Sequence, residues 1–472
     1  MSTSGRQLAT ISVALLALTA CTGEQADAPR SGTAQPGRPG HGSSGAGDSY
    51  YPNDGNGGYD VTDYHVAVDY TPESGRLDGD TTVTATGTDR LARFNLDLTG
   101  LRVNSVEVNG KEAGFRRRGG ELVITAPVPI EAGTRFQARV RYAGRPKPLD
   151  SGELGTSGWQ RSRSGGAFAI GQPHSATAWY PVNDTPRDKA TFRLTARVPS
   201  GWSVVSNGAE GHTDSANGWT TYRWMERNPI ASYLTTIGVD RWTLDRSRLR
   251  DGTPVVNAYA PGAEHKRSVQ RRLPEVLEFL SGKFGEYPQS AAGGIFLAED
   301  VGYSLETQTR PTYTWSSDLE TLVHESAHEW YGNSVSLRSW ADICLNECVA
   351  SYAQWLWSEA KEGKNLNADY RRAIDRYRDD SDFWSSKLYD PGAGHEFEGV
   401  YDKGILAMHA LRMRIGDQAF NRVLREWPAR HRGGNATLPG FERFVQRVSG
   451  DDLRGFFDAW FRGTEIPADQ YL

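Results

Sequence analysis

The hydrophobic periodicity of the chain changes once, near Trp242, and this change constrains the possible folds most strongly. From Tyr59 to about Trp242, apolar and polar residues alternate with the period of two that half-buried β-strands show. The runs YHVAVDY, TTVTATG, RVNSVEVNGKEAGF and TFRLTARV begin at positions 64, 81, 102 and 191. Asn109-Gly110 within the third run is a strong hairpin-turn signal. This half therefore predicts a mainly β domain.

After Trp242 the period becomes that of helices. Between His265 and Phe284, apolar residues recur every three or four positions, which predicts a helix that Pro274 should disturb. Helical patterns then continue to the C-terminus. The predicted fold class is α+β multidomain, with an N-terminal β domain over 59–242 followed by a mostly α domain over 243–472.

The N-terminus carries a targeting signal. The apolar run LATISVALLALTA covers residues 8–20, which suits a signal-peptide core and is shorter than the ~20 residues that cross a bilayer as a helix. It ends in LTAC, so residues 1–21 resemble a bacterial lipoprotein signal with Cys21 as the lipidated first mature residue. A plain secretory signal with an incidental cysteine is the alternative. We expect an exported protein, lipid-anchored to the cell membrane on its extracytoplasmic face.

Composition gives further expectations about the segment before the folded domains and about the partners of the protein. Residues 22–58 are rich in Gly, Ser and Pro without an apolar period, which predicts a flexible linker. The formal net charge of −5 argues against a nucleic-acid partner, because proteins that bind phosphate backbones concentrate Lys and Arg. The expected oligomeric state is a monomer.

The segment TLVHESAHEW places His324 and His328 four residues apart, with Glu325 between them. Residues four apart on a helix project from one face, so both imidazoles can reach a common metal ion. Roughly 0.03 such histidine-acid-x-x-histidine matches are expected by chance in this composition, although the polar side of an ordinary helix remains the alternative. A capping box beginning at Ser317 predicts the start of this helix.

A catalytic zinc site usually has three protein ligands and a water. Glu347, in WADICLNECVASY, follows His328 after eighteen intervening residues. This interval allows one helix to end, a loop to turn and a second helix to present Glu347 beside the histidine pair. The alternative is an acidic residue that the dipole favours at a helix N-terminus.

These motifs resemble the aminopeptidase N-type family of gluzincin zinc metallopeptidases. Besides HESAH and the Glu of LNECVASY, the segments WYPVNDTPRDKATF, HEWYGNSVS and VYDKG match that family in order and approximate spacing. The resemblance covers most of the chain from Tyr59 onward. It implies a β-saddle domain over 59–242 and a thermolysin-like catalytic domain over 243–472.

The resemblance also implies the roles of the site residues. One Zn²⁺ would be held by His324, His328 and Glu347, and Glu325 would carry a proton from the attacking water to the leaving amine. Tyr401 of VYDKG would donate a hydrogen bond to the oxyanion. An ordinary buried tyrosine is the alternative for Tyr401.

The segment GYSLETQT, residues 302–309, occupies the place of the Gly-Ala-Met-Glu-Asn stretch of the family, of which only the Glu matches, as Glu306. By the resemblance, this carboxylate would bind the free α-amino group of a peptide, and Gln172 would lie near the same group. A loop glutamine is the alternative for Gln172. The predicted function is a zinc metallopeptidase acting on peptides as an aminopeptidase. An endopeptidase and a zinc-stabilised surface binding module are the other candidates.

Cys344 and Cys348 replace the Trp and Gly of the family's Trp-Leu-Asn-Glu-Gly and flank Glu347. They lack the paired ligand groups of a zinc finger. An oxidising compartment favours a disulfide, whereas two buried thiols are the commoner fate of such cysteines. The sequence leaves both possibilities open.

Overall fold

The computed structural model describes residues 40–314 and 317–472. The predicted signal peptide over 1–21 and the first part of the predicted linker, 22–39, lie outside the described residues. In the part of the chain that is described, no helix combines the length and apolar character needed to cross a bilayer.

The first half folds into β-strands, as the alternating pattern predicts. The strands are β1 (Tyr59–Thr71), β2 (Arg76–Gly87), β3 (Leu91–Asp97), β4 (Arg102–Val108), β5 (Lys111–Glu112), β6 (Gly114–Arg118), β7 (Glu121–Ile130), β8 (Arg135–Gly144), β9 (Pro148–Asp150), β10 (Thr156–Arg161), β11 (Ala167–Ile170), β12 (Ala190–Pro199), β13 (Ser203–Ser206), β14 (Ala209–Glu210), β15 (Asp214–Ala216), β16 (Trp219–Ile230) and β17 (Ile237–Asp240).

The largest sheet has the strand order β14-β16-β12-β1-β2-β8-β4-β5, with β15 paired to β16. Its central strand β1 pairs antiparallel with β2 and parallel with β12. Alternate residues of β1, such as Val66 and Val68, are at most 2% exposed, since successive side chains of a strand point to opposite faces. Asn109 and Gly110 both have positive φ and join β4 to β5, so the predicted hairpin turn is confirmed.

The second half is mostly helical, and its elements follow in chain order. They are β18 (Thr243–Arg248), β19 (Pro254–Tyr259), α1 (Arg267–Gln270), α2 (Leu273–Phe284), β20 (Ala292–Phe296), β21 (Thr312–Tyr313), α3 (Leu319–Ala327), β22 (Ser336–Leu337), α4 (Cys344–Glu362), α5 (Leu366–Tyr377), α6 (Ser381–Ser385), α7 (Lys403–His431), β23 (Asn435–Ala436), α8 (Leu438–Ser449) and α9 (Arg454–Phe457).

Pro274 divides the predicted helix in two, because it lies in the first turn of α2 rather than inside a helix. A proline is tolerated at this place, where its missing N–H would have had no partner within the helix. The apolar face of α2, including Val276, Leu280 and Phe284, is buried as its spacing predicts.

The helices that carry the predicted metal ligands pack as a stack, with α3 against α4 and α4 against α7. One hydrophobic core joins these helices to the sheets of the first half. The sheet β18-β19-β20-β21 begins at Thr243 and has no strand in common with the sheets before it among the described residues. The division of the chain into domains at residue 242 stays a prediction.

Residues 40–58, which we call the N-terminal strap, differ from the flexible linker that their composition predicts. The carboxylate of Asp48, 4% exposed, accepts hydrogen bonds from Ser339 Oγ at 2.9 Å and from Trp340 N at 3.0 Å. The Tyr50 hydroxyl donates to Asp390 Oδ1 at 2.9 Å. Partners so distant in sequence leave no trace in local composition, which is why the pattern alone indicates a linker.

Candidate metal centre and active site

The helix α3 presents the first two predicted ligands. It begins after Asp318, whose carboxylate accepts a hydrogen bond from Thr321 N at 2.8 Å, so the predicted cap at Ser317 is wrong by one residue. His324 lies in its last turn, and His328 is the residue that caps its C-terminus. The i, i+4 spacing survives because His328 keeps helical backbone angles.

Three side-chain donors converge between α3 and α4. His324 Nε2 lies 3.1 Å from His328 Nε2, and Glu347 Oε2 lies 3.4 Å and 3.5 Å from these two nitrogens. Ligands placed ~2.0–2.2 Å from a tetrahedral Zn²⁺ are separated by roughly 3.4 Å. The donor spacing and the His₂Glu chemistry therefore fit zinc, and this triad is the candidate zinc site among the described residues.

Neighbouring groups orient His328 and keep Glu347 ionised, and both effects favour binding of a cation by the triad. His328 Nδ1 lies 2.9 Å from the carbonyl of Tyr331, which accepts a hydrogen bond from Nδ1–H and so leaves Nε2 free to bind metal. Glu347 lies in the first turn of α4, where the helix dipole favours a carboxylate. Burial alone would raise the pKa of the Glu347 carboxyl, but His328 and His324 lower it to about 2. The ligand is therefore ionised.

Glu325 lies inside the site without belonging to the triad. Its side chain is only 5% exposed, and burial raises the pKa of its carboxyl well above the usual range. His328 lowers this pKa, whereas the carboxylates of Glu306 and Glu347 raise it further. A carboxyl group with a raised pKa is suited to take up a proton and release it again within one reaction cycle.

Glu306 is the second acidic group beside the triad. One oxygen each from Glu306 and Glu325 and one nitrogen of His328 lie within 4.8 Å of one another. Gln172 Nε2 donates to Glu306 Oε1 at 3.4 Å, so the structure brings these two predicted residues together across the two halves of the chain. Burial, the largest influence, raises the pKa of the Glu306 carboxyl to about 7.

Tyr401 lies next to His324, with the two ring centroids 6.1 Å apart. Its side chain is 42% exposed, so the alternative of an ordinary buried tyrosine does not hold. Tyr401 lines a cleft of about 320 Å³ together with Tyr303, His324 and Glu325. A larger cavity, of about 660 Å³, lies between the strap and the β domain and is lined by none of the predicted site residues.

Cys344 and Cys348 form a disulfide, which answers the question that the sequence left open. The bond lies at the start of α4, on either side of Glu347 in the chain. Cys344 is 2% exposed and Cys348 is fully buried.

Sequence reasoning missed the groups that surround Glu306. The Tyr233 hydroxyl lies beside its carboxylate, and Asn333 Nδ2 donates to its backbone carbonyl at 2.8 Å. Asn333 lies in the matched segment HEWYGNSVS and could have been singled out there. Tyr233 comes from the β domain, and no local pattern connects it with Glu306.

Models of one peptidase family match both halves of the chain. The Peptidase M1 N-terminal domain matches residues 61–234, and the Peptidase family M1 domain matches residues 294–460. The chain belongs to the M1 peptidase family. The second match contains the whole zinc triad with Glu325, Glu306 and Tyr401, and the first contains Gln172.

Curated M1 relatives are similar along most of this chain but are longer. The chain is 25% identical over 419 residues to probable aminopeptidase 1 of Saccharolobus solfataricus, which covers 79% of this chain and 50% of the relative. It is 24% identical over 441 residues to aminopeptidase N of Lactococcus lactis, covering 86% of this chain and 51% of the relative. This M1 chain spans about half the length of these relatives.

A solved M1 structure of matching length confirms the two-part architecture of a β domain followed by a helical domain. The M1 zinc metallopeptidase of Deinococcus radiodurans superposes with a TM-score of 0.81 at 28% identity, covering 90% of this chain and 98% of that one. A mutant of the same peptidase, bound to a Tyr-Ser-Ala substrate, superposes with the same score.

Proposed function

We propose that this M1 chain is a zinc-dependent aminopeptidase that releases N-terminal residues from peptides. The observation that carries this proposal is the position of Glu306, whose carboxylate lies within 4.8 Å of Glu325 and His328 donor atoms. A carboxylate so close to the metal centre leaves room for about one residue between a bound ammonium and the scissile bond.

Glu306 and Gln172 would hold the N-terminus of the peptide. The ionised carboxylate pairs with the α-ammonium group, and the Gln172 side chain, 3.4 Å from it, fixes the carboxylate or contacts the same amine. Both side chains are buried, at 3% and 4% exposure, so an ammonium group entering here loses its water and needs these partners.

The remaining residues would carry the chemistry. Bound Zn²⁺ supplies Lewis acidity to the substrate carbonyl and lowers the pKa of water to ~7. Glu325 accepts the proton of the attacking water and delivers it to the leaving amine. The Tyr401 hydroxyl, on the cleft side of His324, donates a hydrogen bond to the developing oxyanion.

The names of the relatives support this activity. Of the two curated relatives described above, one is named probable aminopeptidase 1 and the other aminopeptidase N, and a mutant of the Deinococcus peptidase has been solved with a tripeptide substrate. The agreement matters because the neighbour matches this chain over nearly its full length.

The test compares a peptide with a free N-terminus with its N-acetylated form, each with and without a zinc chelator. We expect chelator-sensitive release of the first residue from the free peptide and at least ~100-fold slower cleavage of the acetylated one, since acetylation removes the charge that Glu306 pairs with. Equal cleavage of both forms would establish an endopeptidase instead. If zinc-loaded protein hydrolyses neither peptide, a zinc-stabilised surface binding module remains as the function.

We also propose that the protein is exported and anchored through a lipid on Cys21. Support comes from the apolar run at residues 8–20 and the LTAC sequence that follows it. Metabolic labelling with a palmitate analogue should tag the wild-type protein, and Cys21→Ser should remain unlabelled and appear in the soluble exported fraction. Light scattering of the released protein tests the proposed monomer.

A further inference from the structure

We propose that the Cys344–Cys348 pair positions two groups of the reaction: its disulfide restrains the zinc ligand Glu347, and its Cys348 sulfur sets the place of the oxyanion donor Tyr401. The inference rests on the proposed function. It assigns a role to a pair of cysteines that stands where the family pattern has tryptophan and glycine.

The first contact runs along the helix to Glu347. The disulfide ties the first residue of α4 to the fifth, and Glu347 lies between them. The first turn of a helix has few internal hydrogen bonds and tends to fray, so a cross-link there restrains the backbone that carries the ligand. The backbone N–H of Glu347 donates to Ile343 O at 3.1 Å, and Ile343 lies just before the helix proper.

The second contact runs across the helix interface to Tyr401. Gly404, the second residue of α7, packs directly on the disulfide: a Cβ built there would lie 2.5 Å from Cys348 Sγ and 3.1 Å from Cys348 Cβ. The backbone N–H of Gly404 also donates to Gly399 O at 2.9 Å, which closes the turn that contains Tyr401. The sulfur therefore defines how closely this turn approaches α4.

The bond restricts the unfolded chain little. It closes a loop with a sequence separation of 4, and the entropy removed from an unfolded chain grows with loop length. Its main consequence should therefore be local geometry at the metal centre rather than global stability. This expectation separates a positioning role from a merely structural one.

Two single substitutions separate the cross-link from the packing. Cys344→Ala breaks the bond but keeps Sγ of Cys348 against Gly404, whereas Cys348→Ala removes both. We expect each variant to bind zinc about tenfold more weakly in a chelator competition, as is typical when a group supporting a metal ligand is lost. At saturating zinc, kcat should fall further in Cys348→Ala, by about tenfold, with KM within about twofold, because Tyr401 contributes in the transition state.

The outcomes decide each half of the proposal. Wild-type zinc affinity in both variants would overturn the role at Glu347. Equal kcat values for the two variants at saturating zinc would overturn the role at Tyr401. Mass mapping of the purified wild type must also find the bond, since two free thiols would overturn the role at Glu347.

A glycine substitution tests the contact without touching a cysteine. Alanine has a higher helix propensity than glycine, so Gly404→Ala should stabilise α7 if propensity alone acts. A loss of kcat in this variant would therefore report the clash between the new Cβ and Sγ of Cys348. We expect about a tenfold loss in the wild-type background and less than about twofold in the Cys348→Ala background, where only the 3.1 Å contact remains to be relieved. The same loss in both backgrounds would show that the sulfur does not set this distance.

These results remain distinguishable from failure of the proposed function. Zinc affinity and mass mapping do not depend on turnover, so they test the Glu347 half even if no peptide is cleaved. If a cysteine variant does not fold, as judged by circular dichroism, Gly404→Ala in the otherwise unchanged protein still tests the Tyr401 half, because a wild-type kcat in that variant would overturn it.

Discussion

Glu325 is the residue on which the proposed chemistry depends most. Glu325→Gln keeps the size of the side chain but removes its ability to exchange a proton, so zinc should be retained while kcat falls by roughly 10²–10⁴-fold. Glu320→Gln is the matched control, because Glu320 lies on the same helix and is exposed. Steady-state kinetics with zinc analysis checks both variants, and near-wild-type turnover by the Glu325→Gln variant would remove Glu325 from the mechanism.

The raised pKa of the Glu306 carboxyl predicts that substrate binding depends on pH. Burial raises the pKa of its carboxyl to about 7, with His328 lowering it and Glu347 raising it. A carboxyl with a raised pKa is protonated below that value, so affinity for an ammonium group should be lost as the pH falls through about 7. KM for a free peptide should therefore rise as the pH falls from about 7 to about 5.5, a range below the α-amino pKa of ~7.7–8.0 in which the substrate ammonium stays mostly charged.

The same pH series on Glu306→Gln provides the control. An amide does not titrate in this range, so the variant should have a high KM that changes little with pH. A wild-type KM that is constant between about pH 5.5 and about pH 7 would contradict the assignment of Glu306 as the amine anchor.

At residue scale, site residues that lie close together in the sequence could be predicted, whereas those brought together from distant segments could not. The geometry of His324 and His328 is set within one helix, and the interval to Glu347 limits what can lie beside them, so local rules suffice. Tyr233 and Asn333 reach Glu306 through tertiary packing, which no local pattern encodes. The helix cap shows the same limit: a capping box predicts Ser317, although the neighbouring Asp318 is an equally suitable cap and takes the role.

At the scale of elements, a partly buried lysine links the β domain to the loop that follows α3. Lys189, directly before β12, donates through Nζ to Asn333 O at 2.7 Å and to Ser334 O at 2.9 Å. Lys189→Met should lower the free energy of unfolding by about 1–3 kcal/mol, because buried carbonyls lose their donor. Thermal unfolding checks this, with the exposed Lys147→Met as control. Equal melting temperatures of both variants and wild type would contradict the link.

The elements themselves were predictable where one rule dominates. Alternation identified the strands around β1, β2 and β12, and the positive φ of Asn109 and Gly110 followed from their residue types. The sequence predicted a disturbance of the helix at Pro274. It did not predict that a new helix, α2, begins there, because this depends on how the apolar face that contains Val276 packs.

At the scale of the whole molecule, the N-terminal strap joins the start of the described chain to the region before α4. Asp48→Ala removes the acceptor of Ser339 and Trp340, which precede the helix of Glu347. We expect a loss of about 1–3 kcal/mol in the free energy of unfolding and weaker zinc binding, because hydrogen bonds to a buried charge are lost. Chemical denaturation and chelator competition measure both effects. Asp89→Ala, at an exposed position, is the control.

If the strap behaves as a free linker, Asp48→Ala should have the same free energy of unfolding as the control variant Asp89→Ala. The strap was unpredictable from composition because Gly and Ser are common both in linkers and in segments that need positive φ. Gly45, Gly47 and Gly55 all adopt such angles here. Its order comes from partners far away in the chain, such as Trp340.

The central claim is that His324, His328 and Glu347 together hold one zinc ion. The direct measurement is the zinc-to-protein ratio of wild type and Glu347→Ala after dialysis against a weak chelator. We predict one zinc per chain in the wild type and a small fraction of that in the variant, since two imidazoles alone make an incomplete site. Full zinc occupancy in Glu347→Ala, or peptide hydrolysis by wild-type protein that holds no stoichiometric zinc, would contradict the account.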